Sequence, residues 1–148
     1  MNKNRQKKVI SEGERETLAL GRELGRACRG GESFFLSGDL GSGKTKFVQG
    51  LASGLGIKDR VNSPTFNILK IYKLRRPSAK LKYFCHVDAY RLNSADELLA
   101  LGIDEFLGSL ETVTAIEWGD KVKKIRPLSA RIVKLKILSP KQREIIIS

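Results

Sequence analysis

The hydrophobic positions of the chain change period several times, and each change predicts an element. Leu20, Leu24 and Ala27 recur at helical spacing over residues 11 to 28, with all three facing inward. Ser11-Glu12-Gly13-Glu14 opens that stretch as a capping box, Ser11 accepting from the Glu14 N–H and the Glu14 carboxylate returning to the cap, and Gly30-Gly31 close it. A short continuous apolar run over 33–37 predicts a buried strand. Phe47, Val48, Leu51 and Leu55 then predict a helix from Lys44 onward, with Gly54 and Gly56 at its end. Two apolar-rich segments, 66–74 and 81–87, flank the basic tip Arg75-Arg76-Pro77-Ser78-Ala79-Lys80 and predict a hairpin. Ser94-Ala95-Asp96-Glu97 is a second capping box, opening a helix through Leu98, Leu99 and Leu101 that Gly102 ends. Residues 112–116 read as a buried strand running into Glu117-Trp118, and 131–138 and 144–147 as two more strands joined by Ser139-Pro140-Lys141-Gln142. The sum is an α/β domain, a central mixed sheet with helices on its faces.

Composition narrows this picture in a few places. A chain of 148 residues fits a single domain, assigned to 11–148 after a basic tail over 1–10. No apolar run approaches the roughly 20 residues that cross a bilayer, and the basic N-terminus lacks a following apolar stretch, so the expectation is a cytoplasmic protein with no membrane contact. Cys28 and Cys85, the two cysteines, have no metal-binding or redox spacing and read as reduced core residues. The net charge of +12 suggests a polyanionic partner such as RNA, although the basic residues are scattered, aromatics are few, and no RNA-binding motif is present.

The chemistry is concentrated in Gly38-Asp39-Leu40-Gly41-Ser42-Gly43-Lys44-Thr45, a complete G-x-x-x-x-G-K-[ST] phosphate-binding loop between a predicted strand and a predicted helix. In that setting unpaired N–H groups and the positive end of the helix dipole attract an anion. Asp39, Leu40, Gly41, Ser42 and Gly43 would wrap the phosphates, Lys44 would reach the β and γ phosphates, and Thr45 would offer its hydroxyl to Mg²⁺. The architecture expected is therefore a P-loop NTPase-like central mixed sheet flanked by helices. Hydrolysis also needs carboxylates, and Asp88 and Glu117 both end predicted strands, where ligands of open α/β sheets sit. Ser63-Pro64-Thr65-Phe66 is a candidate switch in which Thr65 would meet the γ-phosphate. His86, the only histidine, reads as structural rather than as a catalytic base, and Trp118 as a packing residue near the site. Arg91 is left between a phosphate and Asp88. No N-K-x-D motif is present, so adenine is favoured over guanine and ATP is the expected nucleotide.

Four motifs thus follow one another: the phosphate loop, Ser63-Pro64-Thr65-Phe66, His86-Val87-Asp88-Ala89-Tyr90-Arg91, and Glu117-Trp118. Their order and spacing, with the segment ending in Gly102-Ile103, resemble the TsaE (YjeE) family, small bacterial ATPases required for making threonylcarbamoyladenosine in tRNA. The resemblance runs from about Ser11 to the C-terminus. It implies ATP binding with Mg²⁺ and slow hydrolysis supported by the partner proteins TsaD and TsaB, with tRNA met through that complex. It further implies that Thr45 and Glu117 lie on the metal side, that Asp88 supports the Mg²⁺ shell, and that Thr65 lies in a nucleotide-sensitive loop. Residues near the first cap and the last hairpin, Ser11 or Glu12 and Gln142 or Arg143, are implied nucleotide contacts. Lys46, Ala89 and Gly119-Asp120 depart from the family pattern, and Lys46 adds a positive charge beside the phosphates. Two other classes fit the same loop: a small-molecule or nucleotide kinase, and a nucleotide-gated tRNA or protein adaptor with negligible turnover.

Overall fold

The computed structural model describes residues 5–63, 67–75 and 80–148. Seven strands form one mixed sheet in the order β1-β7-β6-β2-β5-β4-β3, comprising β1 (Lys7–Ser11), β2 (Ser33–Ser37), β3 (Leu69–Lys73), β4 (Tyr83–Asp88), β5 (Thr112–Glu117), β6 (Arg131–Ile137) and β7 (Arg143–Ile147). The central strands β6, β2, β5 and β4 run parallel, and the outer pairs are antiparallel. This is the mixed α/β architecture expected from the sequence. The hairpin read over 66–74 and 81–87 is the β3–β4 pair, with Leu69 opposite Val87; its tip at 76–79 lies outside the described residues.

Alternation along β2 explains why helices cover both faces. Phe34 and Leu36 point to one side and meet Phe47, Val48 and Leu51 of α2 (Lys44–Gly54) and Leu20 of α1 (Glu14–Ala27). Phe35 points to the other side with Cys85, Val87 and Ile116, under Leu98 of α3 (Ala95–Ala100), Ile103 and Val122. Each of the large side chains so buried is worth about 1.5–3 kcal/mol relative to exposure.

α1 and α2 are joined by close backbone contact. A Cβ on Gly21 would lie 2.3 Å from the Phe47 carbonyl oxygen, and one on Gly50 would lie 2.2 Å from that of Leu18. Gly25 and Gly54 repeat the arrangement one turn on. These glycines, not the expected Ala27, define the inner edge of α1 beside Leu20; Ala27 is exposed.

Two further sequence expectations change. Lys7–Ser11, part of the segment read as a basic tail, is an edge strand paired with β7. The cap of α1 consequently moves to Gly13. The Ser11 hydroxyl donates to the Gly13 carbonyl at 2.7 Å and lies 2.8 Å from Thr17 Oγ1, while the Glu12 N–H donates to Glu16, not Glu14, at 2.7 Å. Ser94 does occupy the cap of α3, in extended geometry and without a side-chain capping bond.

Cys28 and Cys85 are free, buried, and in the two different core layers. Burial pushes both thiols up to about 12, so almost no thiolate exists near neutrality. An aromatic disulfide reagent at pH 8 is expected to label neither cysteine in the folded protein and both in denaturant; rapid labelling of either under native conditions would contradict this packing. Among the described residues no helix is long and apolar enough to cross a membrane.

Candidate active site

Strand register assembles the site. Leu36 and Asp88 are both paired with Glu117 across β2–β5 and β4–β5, so the phosphate loop after β2 and the carboxylates ending β4 and β5 emerge side by side at the carboxyl edge of the sheet. The loop turns into α2 at Gly43, whose φ of 100° is a conformation that a side chain would strain. α2 then presents its first-turn N–H groups to the same edge.

Lys44 is almost wholly buried, and its Nζ donates to the carbonyls of Gly38 at 2.6 Å and Asp39 at 3.0 Å. The Trp118 ring covers it, with Nζ 4.0 Å from the ring centroid. Desolvation holds the Lys44 ammonium below the ordinary lysine pKa, opposed by the negative charges of Glu117, Asp88, Asp120 and Asp39. Trp118 reaches this position from a backbone φ of 58°, uncommon for a bulky residue, and its ring also packs on Tyr90 at 5.1 Å. Strain of this kind concentrates at functional sites.

Glu117 is the hub of the hydrogen bonds on the carboxylate side of the cleft. It is 3% exposed, and its Oε1 accepts from the Thr45 hydroxyl at 2.7 Å. Its Oε2 lies 2.7 Å from His86 Nε2 and 3.4 Å from the Ser63 hydroxyl. Ser63 donates more closely to Asp88 Oδ2, at 2.7 Å, and Asp88 Oδ1 accepts from the Tyr90 N–H at 3.0 Å. Thr45, Glu117, Asp88 and Ser63 therefore supply clustered hard oxygen donors, the set that suits Mg²⁺. No group of three or more His, Cys, Asp or Glu among the described residues could hold a metal unaided. Mg²⁺ typically takes one or two protein carboxylates plus phosphate oxygens.

These groups line a cleft of about 380 Å³ that also includes Leu40, Gly41, Gly43, Lys46 and Trp118. Lys46 leans to Glu14 at 3.7 Å, an exposed pair of little energetic weight, while remaining on the cleft wall. A second, smaller hollow of about 170 Å³ adjoins the loop and is bounded by Gly13, Glu14, Thr17, Gly41, Pro140, Lys141 and Arg143.

Of the terminal residues named from the resemblance, Arg143 is the one beside the loop among the described residues. Ser11 is fully buried with its hydroxyl engaged by Gly13 and Thr17, so at that corner the lining falls to Gly13, Glu14 and Thr17. Gln142 donates to the Glu12 carboxylate at 3.0 Å, so these two meet each other. It is Arg143 that reaches the loop, donating to the Gly41 carbonyl at 3.0 Å. Arg91 is exposed and makes no ion pair with Asp88 among the described residues; Thr65 and its neighbours Pro64 and Phe66 lie outside them. The Ser63 bridge and the His86–Glu117 contact were not legible from spacing, because both depend on which strands adjoin in the sheet.

A family model described as "Threonylcarbamoyl adenosine biosynthesis protein TsaE" matches residues 11–145. The chain is similar to the tRNA threonylcarbamoyladenosine biosynthesis protein TsaE of Treponema pallidum, with 34% identity over 141 residues, 95% of this chain and 99% of that protein. The Bacillus subtilis protein of the same name is 36% identical over 130 residues, covering 88% of this chain and 77% of the relative. The crystal structure of Bacillus subtilis YdiB superposes with a TM-score of 0.78 at 29% identity, covering 97% of this chain and 84% of that one. The match spans all four motifs and the sheet from Ser11 into β7, and the chain belongs to the TsaE family.

Proposed function

We propose that the protein is a Mg²⁺-dependent ATP-binding and slowly hydrolysing subunit that acts with TsaD and TsaB in the threonylcarbamoyladenosine modification of tRNA. One observation carries this reading: the phosphate loop, the Thr45–Glu117 hydrogen bond and the Ser63-bridged Asp88 converge on a single cleft.

The chain's own groups would divide the work as follows. Loop N–H groups and the α2 N-terminus bind the phosphates and need no reorganisation to do so. Lys44 exchanges a loop carbonyl for a phosphate oxygen. Trp118 and Tyr90 roof the site and keep bulk water from Lys44. The Thr45 hydroxyl donates its hydrogen bond to Glu117, which leaves its lone pairs for a cation; Asp88 would support that cation's shell. When bound, Mg²⁺ would neutralise charge on the β- and γ-phosphate oxygens. The hollow beside Gly41, bounded by Thr17, Pro140 and Arg143, is the space for the base and ribose.

A product assay tests the reading. The purified protein with Mg²⁺-ATP is expected to release inorganic phosphate slowly, and faster with TsaD and TsaB present. Phosphate appearing on a metabolite would make the protein a kinase, and binding without turnover even with both partners would make it an adaptor. A pull-down with TsaD and TsaB in ATP or ADP addresses the partners, and failure to associate in either nucleotide would remove the pathway assignment while leaving the ATP site.

A further inference from the structure

Among the described residues, His86 is a buried titratable side chain beside the cleft that the proposed reaction does not use. Its ring is fully buried and stacked on Phe84 with centroids 6.4 Å apart at 24°. Its Nε2 lies 2.7 Å from Glu117 Oε2, and Nδ1 is buried with no hydrogen-bond partner among the described residues. The carboxylate can only accept, so Nε2 carries the hydrogen and Nδ1 is the bare nitrogen; a hydrogen on Nδ1 would be buried without an acceptor. The register explains how the ring reaches its target. His86 is paired with Ala115 on β5, whose side chain is too small to fill the space between the strands, and the imidazole extends to the next inward residue, Glu117.

Resting on the Mg²⁺-ATP reading above, we propose that His86 is a positioning residue that locks Glu117 in the orientation which holds the Thr45 hydroxyl for the cation. The chain of contacts is directional. His86 Nε2–H fixes Oε2, which aims Oε1 at Thr45, and the Thr45 proton is thereby turned toward Glu117 and its lone pairs toward the cleft. Without the imidazole, Oε2 of Glu117 loses its buried partner and, among the described residues, keeps the longer contact from Ser63 at 3.4 Å. Its carboxylate would then be free to turn, and Thr45 would lose its set direction. Groups in this relation to a metal's ligands commonly change metal affinity or activity by about 10–100-fold when altered.

The conservative pair His86→Gln and His86→Asn separates positioning from packing. A glutamine side chain puts its amide N–H near the place of Nε2, whereas an asparagine amide reaches only the place of Nδ1. Nucleotide affinity measured by calorimetry with and without Mg²⁺ supplies a readout independent of turnover; kcat and KM supply the second. For His86→Gln, the Mg²⁺-dependent gain in ATP affinity and kcat are expected within about threefold of the parent. For His86→Asn, a loss of roughly tenfold or more is expected in both, with Mg²⁺-free nucleotide binding unchanged because the loop is untouched. Equal losses in the two variants would mean that the ring only fills space, and no loss in either would mean that Glu117 holds its orientation alone; each overturns the inference. If the parent protein itself binds ATP identically with and without Mg²⁺, the underlying reading fails, and this inference fails with it. Circular dichroism melts accompany both variants, and since Gln and Asn are alike in polarity, a fold defect would lower both midpoints together.

Discussion

Lys44→Ala is expected to lower ATP hydrolysis by at least about 10²-fold, the scale on which one preorganised charge donor is lost from a phosphoryl- or acyl-transfer site. Glu117→Ala should match it, because that change removes the acceptor that directs Thr45 and leaves buried His86 Nε2 without its partner. The two losses should differ in kind. Lys44→Ala weakens nucleotide binding with or without Mg²⁺, whereas Glu117→Ala chiefly removes the Mg²⁺-dependent part. Wild-type-like phosphate release from either purified variant would sink the assigned role.

Stability distinguishes the two further. Burial holds the Lys44 pKa below the ordinary lysine value, so the folded state binds this proton less readily than the unfolded one. The sign follows: the group's contribution to stability rises as pH climbs from the lowered folded value to the ordinary one, and below that window its charge costs the fold. At pH 7 that cost is present, and Lys44→Ala removes it. The carbonyls that the lysine vacates belong to Gly38 and Asp39, on a loop whose Asp39 is exposed to water. The melting midpoint of Lys44→Ala is therefore expected to be unchanged or raised. Glu117→Ala should melt lower, because it orphans a fully buried imidazole.

The second large effect is structural. Gly50→Val is expected to destabilise the domain by about 3 kcal/mol or more, the upper end of the range for overpacking a core. The obstacle is backbone, not a side chain that could turn aside: a Cβ there would lie 2.2 Å from the Leu18 carbonyl oxygen and 3.0 Å from the Arg22 nitrogen. α1 and α2 would have to separate. For a domain of this size each kcal/mol shifts the midpoint by roughly 2–4 °C, so a drop on the order of 10 °C is expected in calorimetry. Because α2 begins with Lys44 and Thr45, its displacement should also raise KM for ATP. Gly13→Ala is the control. Nothing lies within 4 Å of a Cβ at Gly13, and its φ of 168° is extended backbone, so its midpoint should stay within about 2 °C of the parent. Equal stability of Gly50→Val and Gly13→Ala would mean that the helices do not need their close approach.

Trp118 ties these effects together. It is the sole tryptophan, and it lies over Lys44, so its emission should respond to anything that moves the lysine. The strained backbone at Trp118 follows from the geometry around it: the strand must end at Glu117, while Gly119 must pass against Phe35, where a Cβ would lie 2.8 Å away. A turn this tight allows the ring to fold back over the loop.

Local physics made much of this legible in advance. A short apolar run between glycine turns is too short for a helix and reads as a buried strand, and β2 is found at the predicted residues. The phosphate loop is equally local, since its glycines, lysine and threonine act through neighbouring backbone. The places of Asp88 and Glu117 at strand ends were also readable, because the hydrophobic runs stop there. β1 was missed because its short, charged segment Lys7–Ser11 is a strand only by virtue of pairing with β7, more than 130 residues away in the chain. That same pairing displaced the first cap from Ser11 to Gly13 and buried Ser11, whose hydroxyl meets Gly13 and Thr17.

The sequence by itself determined most of the element types, the phosphate loop and the four motifs, because propensity, turn chemistry and periodicity operate over a few residues. Only the tertiary structure decided which side chains meet. That Ser63 bridges Asp88 and Glu117, that His86 supports Glu117 past a small Ala115, that Arg143 rather than Gln142 reaches Gly41, and that four glycines let α1 lie against α2 all depend on strand order and register. Those are long-range choices, made by burying both faces of one sheet at once, and no local window of the chain contains them.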